Sequence, residues 1–430
     1  MMKKILAALL CAALLFALAA CSGGSGNGDT TDTGSDTKGG DNKKNIKIGV
    51  ILIGDENEGY TYAHIEGIKE AMKENNISED QVVWKYNIPE NEQCKGTAED
   101  LAEQGCTAIF SNSYNHQTYM QQVAGEPGYE DITFVSATGD TAANSGLKNF
   151  KNCFTKVYES RYVSGIVAGM KLAELVKDGK IADSNKDADG NIKIGYVGAY
   201  PYAEVVSGYT AFYLGIKSVI ENVVMEVQYT QSWFDIAAEG QAAKALMADG
   251  CIIIGQHADS TGAPAEVQAA YDAGTVAYSI GYNVDMLSVA PKAALTSATN
   301  IWAAYYTYAF GQLLKGEDID IDWAKGYSDD AVAITALGES CAEGTQEKVD
   351  EAIAAIKTGT LHVFDINTFT VDGKKVESCI VDLDGDFKTD SDADKEAIWD
   401  GYFHESAEGF RSAPYFDVQI DDISLLDTAF

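Results

Sequence analysis

Five short polar and aromatic stretches carry the residues best suited to hold a small molecule: 54–64, 111–115, 232–235, 256–260 and 281–285. Tyr60 and Trp233 offer flat aromatic faces, each beside the start of a helix-like run, and Asn112 closes an apolar run. His257 and Asp259 follow one such run, Asn283 and Asp285 the next. A carboxylate out of water with no Arg or Lys beside it needs hydrogen-bond donors, which the hydroxyl or N–H groups of a ligand supply. Two aromatic faces with carboxylate and amide acceptors suit a flat heterocycle bearing hydroxyl or amino groups, and equally a sugar. Local structure also accounts for parts of this set: Asp55 or Asn57 can cap a helix, Ser111 to Asn115 either contacts a ligand or only turns the chain, and Trp233 with Phe234 could belong to a core.

Catalytic signatures are missing. No GxSxG elbow, HExxH pair, GxxxxGK[ST] phosphate loop or GxGxxG turn occurs. The five histidines are dispersed, so neither a metal nor a cofactor is expected, and a hydrolase would need an activated nucleophile that is not evident. Asn185 to Gly190 mimics the start of a calcium loop but has Tyr196 where a bidentate Glu belongs, and Asp382 to Asp386 has its Gly at the wrong offset. Both read as solvated turns.

The elements that must position the five stretches alternate. Runs such as IKIGVILI (46–53), TAIFS (107–111), IKIGYVG (192–198), CIIIG (251–255) and TVAYSI (275–280) are separated by stretches with helical apolar spacing. Strands alternating with helices of 10 to 15 residues predict parallel sheets built from crossovers. Two such groups in 430 residues predict two doubly wound lobes, with ligands held outside the carboxyl ends of the strands. Beyond His362, Asp372-Gly373 and Asp384-Gly385 sit between alternating apolar residues, predicting hairpin turns in a small antiparallel β appendage.

Composition narrows the partners. With 65 acidic against 31 basic residues the net charge is -34, which argues against nucleic acid, whose phosphates are bound through Lys and Arg. Only Arg161 and Arg411 carry a guanidinium. Lys3 and Lys4 precede an apolar run, Ile5 to Ala20, of signal-peptide rather than membrane-span length, ending Leu18-Ala19-Ala20-Cys21. This resembles a lipobox, with Cys21 lipidated after cleavage of 1–21. Residues 22–44 contain no large apolar side chain and predict a flexible tether. Of the remaining cysteines, Cys106 and Cys251 are expected as buried thiols, and Cys341 with Cys379 is the first pairing to test.

Taken in order, GDENEGYTYAHIEG (54–67), YESRYVSGIVAGM (158–170), QSWFDIAAEGQAAKALMADG (231–250), GQHADS (255–260) and IGYNVDM (280–286) resemble the basic membrane protein family of ABC transporter substrate-binding lipoproteins, which includes purine nucleoside receptors. The resemblance implies a type I periplasmic-binding fold: two Rossmann-like lobes joined by three crossovers, 45–157 with 286–325 and 158–285 with 326–430. It implies a purine nucleoside or base as ligand, ABC permease and ATPase subunits as partners, and a lipid-anchored position on the extracytoplasmic face of the cell membrane. It places the base between Tyr60 and Trp233 and assigns Asp285 to ribose hydroxyls or base N–H groups, with Asn112, His257 and Asp259 as further contacts. Arg161, in the YESRYVSG motif, either binds ligand or braces the hinge through Glu159. Tyr60 stands where many relatives carry Trp, and the lysine used by nucleoside-binding relatives has no placed counterpart. Free base and nucleoside therefore both stand, and a sugar or polyol is the alternative cargo.

Overall fold

Short runs of β-branched and small apolar residues form the strands of two sheets, each backed by helices whose apolar faces they cover. The computed structural model describes residues 46–426. The expected leader, its Cys21 and the 22–44 tether lie outside the described residues.

The first lobe begins β1 (Ile48–Ile51), α1 (Gly59–Asn75), β2 (Val82–Lys85), α2 (Glu92–Glu103), β3 (Ala108–Ser111), α3 (His116–Ala124), β4 (Thr133–Ala137), β5 (Phe150–Thr155). The chain crosses at Lys156 into the second lobe: α4 (Val157–Lys177), β6 (Ile192–Gly198), α5 (Ala203–Lys217), β7 (Val223–Tyr229), α6 (Ile236–Ala248), β8 (Ile253–Gln256), α7 (Gly262–Asp272), β9 (Tyr278–Tyr282), β10 (Ala294–Asn300). After a second crossing at Ile301, α8 (Trp302–Lys315) and β11 (Asp322–Lys325) return to the first lobe. A third crossing leads to β12 (Val332–Ile334) and α9 (Thr345–Lys357) in the second.

The tail adds β13 (Ile380–Val381), β14 (Lys395–Glu396), β15 (Ile398–Trp399), β16 (Tyr402–Phe403) and β17 (Ile423–Leu425). The first sheet has the order β11-β5-β4-β3-β1-β2 and the second β12-β10-β9-β8-β6-β7-β17. All neighbours are parallel except β10 with β12.

Two expectations are corrected here. Residues 286–325 are expected whole in the first lobe, but β10 pairs with β9, so the crossing falls at Ile301 rather than near 285. The Asp372-Gly373 turn forms, with both residues at positive φ and a bridge between Val371 and Lys374, whereas β13 and β14 are joined by the long 382–394 loop instead of a two-residue turn.

The three crossings lie side by side. Lys156 N–H donates to Lys325 O at 2.7 Å, Ile301 N–H to Ala331 O at 2.8 Å, and the Glu159 carboxylate accepts from Tyr327 N–H at 2.7 Å. Packing within the second lobe is close: a Cβ on Gly165 of α4 would stand 2.1 Å from Phe212 O on α5, and one on Gly215 of α5 would stand 2.0 Å from Tyr162 O. Glycines here let two backbones meet. Among the described residues no helix is long and apolar enough to cross a membrane. Cys94, Cys106, Cys153, Cys251, Cys341 and Cys379 are free. Cys341 and Cys379 are not paired: one Sγ sits 3.3 Å from Leu295 O, the other beside its own neighbour Ile380.

Candidate ligand-binding site

Both sheets present their carboxyl ends to the same space, where a cavity of about 370 Å³ opens between the lobes. Its first wall comes from the turns after β1, β2, β3 and β4, its second from those after β6 to β9. Of the expected residues, Tyr60, Asn112, Trp233 and Asp259 line this cavity. Several loop residues at its edge hold left-handed backbone: Thr138 (φ 63°), Gln231 (φ 57°) and Asn283 (φ 61°). For a β-branched residue such as Thr138 that conformation is costly, so surrounding contacts must impose it.

Tyr60 is placed by the turn that starts α1. Glu58 caps the helix, its carboxylate accepting Tyr60 N–H and Thr61 N–H at 2.8 Å each. The Tyr60 hydroxyl donates to the Asn112 carbonyl, and the ring lies edge-on to His64. Asn112 is fully buried and braces the same turn, accepting from Ile53 N–H at 2.9 Å and donating to Thr61 Oγ1 at 3.2 Å. On the facing lobe Asp235 caps α6, and its neighbour Trp233 packs against Tyr200 with ring centroids 5.3 Å apart. Asp259 N–H is held by Trp233 O at 2.8 Å and its carboxylate accepts from Asn283 Nδ2 at 2.6 Å.

The other expected residues stand behind the wall or away from it. His257 is fully buried, its Nε2 3.1 Å from Glu204 Oε1. Asn283 is pinned between Asp259 and Asn300. Arg161 is buried under Tyr282, its guanidinium carbon 3.7 Å from the ring centroid, with one N–H on Gln256 O. It does not meet Glu159, whose carboxylate serves Tyr327. Asp285, expected to meet the ligand, is exposed in this structure, accepts Leu287 N–H at 2.8 Å and does not line the cavity. The left-handed turn at Asn283 carries the chain away before that carboxylate is reached.

Glu90, Thr138 and Glu204 also line the cavity and lie outside the five stretches, whereas Glu58, Tyr114 and Tyr282 line it from within them without having been singled out. Glu58 and Glu204 look like ordinary acids at helix starts, and only the convergence of two lobes makes them cavity residues.

Electrostatically the wall is acidic and holds no Lys or Arg. Burial raises Glu58, holds Asp259 well above the usual carboxylate range, and pushes Glu204 up to about 7, with Arg161 opposing. Burial and Arg161 drive His257 well below an ordinary imidazole. Glu204, near 7, is part protonated at neutral pH and so both accepts and donates hydrogen bonds. Asp382, Asp384 and Asp394 converge in the tail, yet Asp382 is occupied by backbone N–H groups of its own loop.

The two lobes thus share one acidic cavity with no cation among its lining residues. The family of ABC transporter substrate-binding proteins described as PnrA-like, Bmp, matches residues 46–364. The chain belongs to the Bmp family. As a Bmp protein it is a substrate-binding component of an ABC transporter rather than an enzyme. It is 32% identical over 328 residues to a purine-binding protein of Brucella abortus, covering 75% of this chain and 84% of that one. A putative ABC transporter glucose-binding protein of Haloferax volcanii is 28% identical over 308 residues, 69% of this chain and 68% of that one. Among solved structures, an ABC transporter solute-binding protein from Aeropyrum pernix K1 superposes with a TM-score of 0.60 at 16% identity, covering 74% of this chain and 93% of that one. At that identity the likeness speaks for the type I fold of the Bmp chain.

Proposed function

We propose that this Bmp protein captures a purine base or nucleoside outside the cytoplasm and delivers it to an ABC permease driven by its ATPase subunits. The observation that carries the reading is the cavity wall: aromatic rings from both lobes, Tyr60 and Tyr114 on one side and Trp233 and Tyr282 on the other, with five carboxylates and no cation among its lining residues. Stacking on an aromatic ring contributes about 1 to 3 kcal/mol per base in nucleic-acid complexes. Glu204, Asp259 and Asn112 then meet the N–H and hydroxyl groups of the ligand, while His257, Asn283 and Arg161 hold those contacts from behind. A phosphate group would be repelled. The purine-binding Brucella relative supports this cargo. In this reading Cys21 carries the lipid, 22–44 is the tether, and the lobes are 46–155 with 302–325 and 157–300 with 332–426.

A sugar is the second reading, favoured by the putative glucose-binding Haloferax relative. Native mass spectrometry of the purified chain, followed by titration of intrinsic fluorescence with adenosine, adenine, guanosine and glucose, separates the two. A saturable response to a purine, abolished in Trp233→Ala, is expected. Saturation by glucose with no response to any purine would overturn the purine cargo. Lipidation is tested by the mass of the N-terminal peptide and its loss in Cys21→Ala.

A further inference from the structure

The Bmp match ends at residue 364, yet the chain beyond it reaches back across the cleft. Its roots are in the second lobe, where Val381, Leu383, Phe403, Tyr415 and Phe416 join the core and β17 extends the sheet beside β7. Between those roots it touches the first lobe at three places. Leu383 O accepts Asn144 Nδ2 at 2.9 Å, and Ser412 donates both N–H and hydroxyl to Asp322 Oδ1 at 2.9 Å. Arg411 Nη1 lies 3.5 Å from Asp140 of the first lobe and 3.4 Å from Asp382 of the tail, with all three side chains nearly out of water.

Asp140 is also tied to the cavity. One of its oxygens accepts the hydroxyl of Tyr114, a lining residue, at 2.8 Å, and the other accepts Gln117 Nε2 at 2.9 Å. Tyr114 in turn meets Tyr202 of the opposite lobe at the mouth, ring centroids 5.9 Å apart, and Phe387 of the tail packs 6.0 Å from the same Tyr202. The fit against Asp140 is close: a Cβ on Gly385, at φ 76°, would fall 2.8 Å from Asp140 Oδ1.

We propose that Arg411 clasps the tail to the first lobe through Asp140, the residue that also accepts the hydroxyl of the cavity-lining Tyr114. One guanidinium stands between two carboxylates, so its removal leaves like charges facing each other across the lobe boundary in a poorly solvated place. The clasp then opens. The reporter is the Ser412 amide, whose acceptor Asp322 is on the other lobe, and reading it needs no ligand.

Hydrogen exchange read by mass spectrometry on the full chain tests this. In Arg411→Gln, exchange at Ser412 and at 138–146 is expected to quicken on the order of tenfold, within the usual range of coupling between sites, while β6 and β8 keep wild-type protection. In Asp140→Asn/Arg411→Gln, with one repelling charge gone, exchange falls back toward wild type. Unchanged exchange at Ser412 in Arg411→Gln, or equal loosening of β6 and β8, overturns the clasp. Should Arg411→Gln fail to accumulate folded, Asp140→Asn decides: it leaves Arg411 with Asp382, and faster exchange at Ser412 with intact sheet cores supports the proposal, whereas no change refutes it.

Discussion

Glu204→Gln isolates the electrostatic character of the cavity, because it keeps the shape of the side chain and removes only its ability to ionise. The Glu204 side chain is 15% exposed and touches His257 Nε2 at 3.1 Å. Burial pushes its carboxyl from the ordinary 4.5 up to about 7, despite the nearby Arg161. A raised acid favours folding while protonated: its contribution is complete below pH 4.5 and is lost as pH rises through 7. A displacement of that size corresponds to about 3 kcal/mol, and so little exposure leaves water small scope to screen it. Gln cannot ionise, so the variant does not suffer this loss.

The assay is differential scanning calorimetry of ligand-stripped wild type and variant at pH 5 and pH 8.5. With unfolding entropy near 2.1 cal/mol/K per residue, the described residues 46–426 give about 0.8 kcal/mol/K. The variant should therefore melt about 1 °C above wild type at pH 5 and about 4 °C above it at pH 8.5. His257, held low by burial and by Arg161, works in the opposite direction: its contribution is present above the ordinary value of 6.5 and is lost as pH falls. That loss occurs in both proteins. A gap that is the same at both pH values, or that shrinks toward pH 8.5, would refute the account of Glu204 as a carboxyl kept protonated by burial.

Trp233→Ala should weaken purine binding by about 1 to 3 kcal/mol in isothermal titration and leave Tm almost unchanged, since the ring is only half-buried. Asp259→Asn and Asp285→Ala should separate cleanly by the same titration: the first weakens binding at least tenfold, the second leaves it within about twofold because Asp285 only caps a turn. Gly165→Ala should lower stability by about 1 to 3 kcal/mol or more in denaturant titration, because its methyl would meet the Phe212 carbonyl at 2.1 Å. Alkylation in denaturant without reductant should modify both Cys341 and Cys379.

The alternation of strands and helices was legible because it depends on local apolar spacing, and with it the place of the site, since strand ends face the cleft in any such sheet. Which lobe owns β10 was not legible. ALTSATN is a buried run of small and β-branched residues that suits either sheet, and its neighbour β9 is chosen by packing that the run itself does not encode. Asp259 and Asp285 likewise look equivalent in sequence, each three or four residues past a strand. Only the backbone at Asn283, φ 61°, turns one of them outward. Glu204 was invisible for the opposite reason: an acid at a helix start has a sufficient local explanation, as Glu58 shows by capping α1.

The acidity of the chain and the acidity of the cavity have different physical origins. Exposed acidic residues such as Asp100, Asp183 and Asp330 ionise at little cost. Glu204 and Asp259 are held out of water beside each other, and each ionisation raises the cost of the next. A ligand that donates hydrogen bonds lowers that cost by serving the charged forms, whereas an anionic ligand adds to it. On the proposed reading the same wall disfavours phosphates and favours amino and hydroxyl groups, and Arg161, buried under Tyr282, lends it positive potential without offering a guanidinium for the ligand to pair with. Selection for a neutral donor-rich molecule follows from where the one cavity-side arginine is kept as much as from which residues line the cleft.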